Sequence, residues 1–238
     1  MVRDKPTPAM EDYLGEIYRL RERGEEITVQ ALAQALAVRP PSVTGMVKRL
    51  AAAGLLDHQR YQAIALTRAG EAAALHVLRH HRLLELYLSE FLDMPWEDVH
   101  AEADRLEHHI SESLEERIAA TLGDPTYDPH GDPIPSREGV IPSRAVRRLS
   151  ELAPGESGCV AQITLQESAV LHYLSSLGVR PGVQVAVQAI AQVGGVVTLL
   201  VAAPEPATQT LGERLVRSIL VTPSAPACLA APGGRQTA

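Results

Sequence analysis

The sequence predicts a mainly α-helical protein with an N-terminal winged helix-turn-helix and a small β-rich domain at its C-terminal end. Three observations predict it. Apolar residues recur at helical spacing through most of residues 8–122; a stretch with five prolines and three glycines, 123–142, then interrupts that pattern; and beyond it apolar and polar residues alternate in short runs.

The first helix is expected to start near Pro8, with Thr7 as N-cap and Pro8 at the first helical position. Met10, Tyr13, Leu14, Ile17 and Leu20 form its core face, and Gly24 ends it. A short helix runs from Thr28 to about Ala37 and carries Leu32 and Leu36. Val38-Arg39-Pro40 reads as a tight turn, and a third helix begins near Pro41, with Val43, Met46, Val47 and Leu50 as its buried stripe and Gly54 closing it. Leu55–Arg60 and Gln62–Leu66 read as two short strands joined near Tyr61, after which Thr67 caps the next helix. Two long helical patterns follow, about 67–92 and 95–122, separated by Asp93-Met94-Pro95. In the β-rich part the clearest alternations are Val183–Val187 and Val196–Val201, with one helix near 166–177.

Charge is unevenly distributed. The net charge is −7, yet residues 1–70 hold ten basic and eight acidic side chains, whereas residues 71–125 hold four and thirteen. A surface that meets DNA must therefore be local to the N-terminus, while the acidic middle is either a solvated face or a place where cations relieve repulsion. Two short helices and a tight turn followed by a two-stranded wing make a winged helix-turn-helix, and the second helix is the recognition element. On a helical wheel Pro41, Thr44, Gly45 and Lys48 lie opposite the core stripe, flanked by Ser42 and Arg49. Short hydroxyls and a glycine permit close approach to base edges; Arg39, Lys48, Arg49 and the wing residue Arg60 suit phosphates.

The two cysteines, Cys159 and Cys228, are far apart and form neither a disulfide framework nor a thiolate zinc motif. His81 and Glu85, four residues apart, share a helix face with Val77, Leu78, Leu84, Leu88 and Leu92. A carboxylate among leucines is costly unless it is paired or bound to metal, so a core His–Glu pair and a metal site are the two readings. On the following helix His100, Asp104, Glu107 and His108 fall within an arc of about 100°, beside Val99, Ala103, Leu106 and Ile110, while His109 and Glu102 point elsewhere. Oxygen and imidazole donors without thiolate favour Mn(II) or Fe(II) and leave Zn(II) open.

The segments MEDYLGEIYRL, AVRPPSVTGMVKRLAAAGLL, RHHRLLELYL, VHAEADRLEHHISESLEERI, DPHGDPIP and LSSLGVRPGVQV occur in that order. In this the chain resembles the diphtheria-toxin-repressor family of metal-dependent regulators, which includes the manganese-transport regulators. The resemblance implies a homodimer built on the two long helices. It implies a primary metal site of Asp12, Asp104, Glu107 and His108, and a second of His81, Glu85 and His100. It also implies an SH3-like (FeoA-like) last domain, from which Glu167 reaches towards the second site. Asp12 enters only through this resemblance, because it projects away from the apolar face of its helix and otherwise reads as a surface acid near a helix N-terminus. Iron-type members carry Met at the position of Asp12 and Cys at that of Asp104, so harder donors here favour manganese. Manganese-type members without the last domain carry a second acid in place of Gly15, and Glu in place of Asp104. Val170 stands where a second C-terminal donor is often offered.

The expected organisation is then 1–70 DNA-binding domain, 71–123 metal-binding and dimerisation domain, 124–148 Pro-rich linker, 149–222 SH3-like domain and 223–238 disordered tail. The expected function is a Mn(II)-dependent repressor of metal-homeostasis genes, with Fe(II) as the alternative cation and Zn(II), Co(II) or Cd(II) as in vitro ligands. Its partners are an operator duplex and a second copy of the chain. With no apolar N-terminal run and no stretch of membrane-spanning length, a cytoplasmic protein is expected. A hydrolytic metalloenzyme is disfavoured because HExxH, GxSxG and phosphate-loop motifs are missing, and no small-molecule substrate is implied. A winged-helix regulator of an organic effector is the remaining competitor.

Overall fold

The computed structural model describes residues 6–57, 63–191, 194–202 and 205–223. They fall into two compact units, one drawn from residues 1–87, 101–126 and 134–142, the other from 88–100, 127–133 and 143–238.

In the first unit α1 (Pro8–Glu22) starts at the expected proline. It buries Tyr13, Leu14, Ile17 and Leu20. Gly24 takes φ +70°, and the amide of Glu25 donates to the carbonyl of Leu20 at 2.9 Å, which satisfies the carbonyls that the helix end leaves open. The Thr28 hydroxyl caps α2 (Val29–Ala35) by accepting from the amide of Ala31 at 3.0 Å. Helix α3 (Pro40–Ala52), the one expected as the recognition element, begins one residue before the expected start. Arg39 is extended, as a residue before proline prefers, and both Pro40 and Pro41 fit a first turn whose amides need no helical acceptor. Val43, Met46, Val47 and Leu50 are all buried against α1 and α2.

The wing pairs β1 (Leu56–Asp57) with β2 (Ala65–Leu66), antiparallel, placing Leu56 opposite Leu66. Its tip, with Arg60 and Tyr61, lies outside the described residues, as does nearly all of the expected tail. Thr67 then locks the wing to α4 (Arg68–Leu92): its hydroxyl donates to the carbonyl of Gly54 at 2.8 Å and accepts from the amide of Gly70 at 3.1 Å. At Gly70 a methyl group would stand 1.9 Å from the carbonyl oxygen of Leu55. Backbone would have to move, so Gly70→Ala is expected to destabilise the protein by about 1–3 kcal/mol, read as a lower urea midpoint at unchanged slope.

The single helix expected over 95–122 is two, α5 (Val99–Leu106) and α6 (Glu112–Thr121). Residues 107–109 form a turn, and the Ser111 hydroxyl accepts from the amide of Leu114 at 3.2 Å, starting a new helix. An N-capping serine competes with helix continuation, which the apolar periodicity alone does not register. Leu83, Leu84, Ala103, Ile118, Ala119 and Ile134 form the core here. Leu92, expected on the apolar face of α4, is 56% exposed at the helix end.

In the second unit β3 (Arg147–Arg148), β4 (Ser157–Ile163), β5 (Gln184–Ile190), β6 (Val197–Val201), β7 (Ala207–Leu211) and β8 (Ile219–Pro223) form one antiparallel sheet, ordered β3-β8-β4-β5-β6-β7. Their inward residues enclose a core with Leu171 and Leu174 of α7 (Ser168–Ser176), and α8 (Glu213–Ser218) leads into β8.

The segment expected as a linker is packed rather than loose at 127–133. Asp128 accepts from the amides of His130 and Asp132 at 2.8 and 2.9 Å, and the His130 carbonyl accepts from the amide of Ile163 on β4. Asp128, His130 and Asp132 are buried. Prolines and glycines here serve tight turns, and among the described residues no helix is long and apolar enough to cross a membrane.

Candidate functional site

The face of α3 opposite its core stripe is open. Arg39, Pro41, Ser42, Thr44, Gly45, Lys48 and Arg49 are all exposed, as a helix that enters a major groove requires. Helical periodicity produces this directly: four buried residues fix the orientation, and the opposite side chains turn outwards.

On α4 the imidazole of His81 and the carboxylate of Glu85 lie one helical turn apart, both almost fully buried, with Nε2 2.9 Å from Oε1. The other ring nitrogen of His81 meets acids from the next segment, Glu107 Oε2 at 2.6 Å and Asp104 Oδ1 at 3.3 Å. Burial opposes a charged ring, but the carboxylate of Glu85 and the hydrogen bonds to Glu107 and Glu85 outweigh it, raising the His81 pKa to about 10.

The second imidazole is His108, in the turn after α5. Its Nε2 stands 2.7 Å from Asp12 Oδ1, and its Nδ1 2.7 Å from Glu11 Oε2, both acids of α1. Glu107 Oε1 is 3.4 Å from the same Nε2. Donor atoms of Asp12, Glu107 and His108 all lie within 4.8 Å of one another. Here too burial opposes protonation, and hydrogen bonds to Asp12 and Glu11 raise the pKa above its ordinary value. Glu107 thus stands between the two imidazoles, one oxygen towards each. The result is a chain of donors, Asp12–His108–Glu107–His81–Glu85, joining α1, the turn after α5, and α4.

Such a set of carboxylates around two imidazoles suits a divalent cation that accepts oxygen and nitrogen donors. The alternative reading of His81 and Glu85 as a bare core pair is too small, because Glu107 and Asp104 share the same imidazole. Glu11 was not foreseen: it neighbours Asp12 in the first turn of α1, and nothing in helical spacing singles it out. Asp104 is half-exposed at the rim of this cluster. His109 is exposed and Glu102 pairs with Arg105, both away from it. His100, in the first turn of α5, and Glu167 belong to the second compact unit. Glu167 precedes α7 and forms an exposed ion pair with Arg214 at 2.6 Å, while Val170 packs against the sheet core.

Three family models match the chain: the N-terminal DNA-binding domain of iron-dependent repressors over residues 5–64, their metal-binding and dimerisation domain over 67–136, and the FeoA domain over 147–223. The iron-dependent repressor IdeR of Mycobacterium bovis is 36% identical over 210 residues, covering 83% of this chain and 90% of its own length. The HTH-type transcriptional regulator MntR of Oceanobacillus iheyensis is 38% identical over 113 residues, 48% of this chain and 76% of that one. Among solved structures, a manganese-dependent transcriptional repressor in complex with manganese superposes with a TM-score of 0.85 at 35% identity, covering 90% of this chain and all of that one.

Proposed function

The chain belongs to the diphtheria-toxin-repressor/manganese-transport-regulator family of metal-dependent DNA-binding repressors, and from that premise we propose that it is a cytoplasmic Mn(II)-responsive repressor of metal-homeostasis genes. The observation that carries this reading is the convergence of Asp12 from α1 with Glu107 and His108 from the turn after α5. Asp12, Asp104, Glu107 and His108 are the primary ligands; the resemblance to the family adds His81, Glu85, His100 and Glu167 as a second set. Hard oxygen at Asp12 and Asp104 favours Mn(II); Fe(II) is the alternative, in keeping with the relatives named as iron-dependent. The chain acts by binding rather than by catalysis.

The mechanism follows from the position of α1. Asp12 faces His108, while its neighbours Tyr13 and Leu14 are buried in the same core as Val43, Met46 and Val47 of the recognition helix. Whatever holds Asp12 therefore holds α3. Without a cation, the His81 imidazolium offsets part of the carboxylate charge, and the same acids raise the pKa of His108. Asp12, Glu107 and His108 would hold a divalent cation, whose two positive charges would offset the carboxylates and link α1 to the turn after α5. Asp12, Glu107 and His108 then fix α1, α1 fixes α3, and in a homodimer two such helices are presented at one spacing to an operator duplex. Arg39, Lys48, Arg49 and the wing residue Arg60 hold phosphates, while Pro41, Ser42 and Thr44 approach base edges.

Fluorescence anisotropy with an operator fragment at fixed salt tests the scheme. Mn(II) is expected to tighten binding at least tenfold over EDTA, and equal affinity in the two buffers would refute it. Repeated over a series of salt concentrations, Lys48→Ala and Arg49→Ala are each expected to lower the salt dependence of binding by about one phosphate contact.

A further inference from the structure

A second imidazole pair lies on α4, outside the residues assigned so far. His76 and His80 are one helical turn apart, with ring centroids 4.3 Å apart, and both face Glu115 of α6. His80 Nε2 is 3.0 Å from Glu115 Oε2, and one donor atom from each of the three residues lies within 4.8 Å of the other two. We propose that His76, His80 and Glu115 form a separate binding site for a zinc-class divalent cation.

Each buried donor has an outer partner of the kind that orients metal ligands. Nδ1 of His80 donates to the backbone carbonyl of Glu107 at 3.0 Å, which turns the Nε2 lone pair towards Glu115. Arg79 donates from Nε to Glu115 Oε1 at 2.5 Å and from Nη1 to the carbonyl of Pro135 at 2.7 Å. One carboxylate oxygen is thereby held and the other is left for the imidazoles. A His80–Glu115 contact alone would be an ordinary buried pair. His76 is what goes beyond it, because pairing does not require a second imidazole on the same side.

The site is open on one side. His76 is exposed and, with Glu115, borders a cleft that Glu71, Glu112, Glu116 and Glu138 also line. Arg68, Arg79 and Arg137 line the cleft too, yet five carboxylates, Glu115 included, outnumber them, and water can complete a cation's coordination there. Two imidazoles and one carboxylate with a free position is a donor set that zinc accepts in four-coordinate geometry. The oxygen-dominated cluster around Asp12 and Glu107 differs from it, so the two places prefer different cations.

Crystals of the full chain soaked in zinc chloride test the assignment by anomalous scattering on both sides of the zinc edge. A peak is expected at about 2.0–2.1 Å from one nitrogen each of His76 and His80, with a Glu115 oxygen completing it. His76→Ala removes an exposed side chain and should melt like the parent. It should lose this peak and bind one zinc fewer per chain against a chromophoric chelator, the affinity of the site falling ~100-fold or more. His76→Gln should behave alike. A crystal with no peak at these three residues, or an unchanged zinc count in both variants, overturns the proposal. Loss of peaks only at Asp12, Glu107 and His108 would count instead against the sensing site, which shares no side chain with this one.

Discussion

Glu107→Gln is expected to abolish the metal response of operator binding and to weaken cation binding in both sets of ligands at once. Glu107 is 5% exposed, with Oε2 2.6 Å from His81 and Oε1 3.4 Å from the His108 ring. Loss of Asp12 or Glu85 would remove a donor from one end of the chain of contacts, whereas Glu107 serves both. The amide keeps the volume but not the charge, so the cavity stays filled while the cation loses a formal negative ligand. Glu107→Ala goes further, taking from the His81 imidazolium the nearest of its carboxylates, the one at 2.6 Å. Removing one member of a buried ion pair costs about 3–5 kcal/mol, and the metal-free alanine variant should unfold at correspondingly lower denaturant. Mn(II) titration by calorimetry and anisotropy on the glutamine variant provide the readout. Unchanged Mn(II) affinity together with an intact Mn(II) effect on DNA would remove Glu107 from the mechanism.

Metal-free protein is expected to lose stability as pH rises above about 6.5, while metal-loaded protein holds it. His81 holds its proton to about pH 10 in the folded, metal-free chain, against 6.5 when unfolded. Below about 6.5 both states are protonated, and the contacts with Glu85 and Glu107 contribute fully. Between that value and about 10 the unfolded chain releases the proton while the folded chain retains it. Stability therefore declines as pH rises, and the contribution is gone above the folded value. A cation needs the ring neutral, so each proton displaced makes its binding up to ~10-fold tighter per pH unit across that window. Thermal melts in EDTA and in Mn(II) from pH 6.5 to 8.5 should diverge, the gap widening with pH. A constant gap would mean that His81 gives up no proton to the cation, and His81→Gln should flatten the metal-free curve.

Much of this molecule was legible in its sequence because burial at helical spacing fixes what remains outside. The stripe Val43–Met46–Val47–Leu50 determines that Lys48 and Arg49 face solvent, and Thr28 and Thr67 mark helix starts by their hydroxyls. His81 with Glu85 was visible as a costly pair on an apolar face. Asp12 was visible only through resemblance, since its partner His108 is ninety-six residues away and no local pattern encodes that contact. Glu11 and the His76–His80–Glu115 group escaped for the same reason, although the spacing of the two histidines was there to be read. Within the stretch read as a Pro-rich linker, prolines and glycines report turns, and the buried Asp128 and His130 show that those at 127–133 are packed.

The break between α5 and α6 bears on how such a sensor can be improved. Consecutive residues on an α-helix diverge by about 100°, so Glu107 and His108 direct themselves to a common place most readily where the helix has ended. Thermostabilisation by conventional helix repair, replacing Ser111 and its neighbours with strong helix formers, would straighten this segment and swing one of the two donors away. The variant would melt later and sense nothing; here rigidity and responsiveness are competing demands on the same five residues.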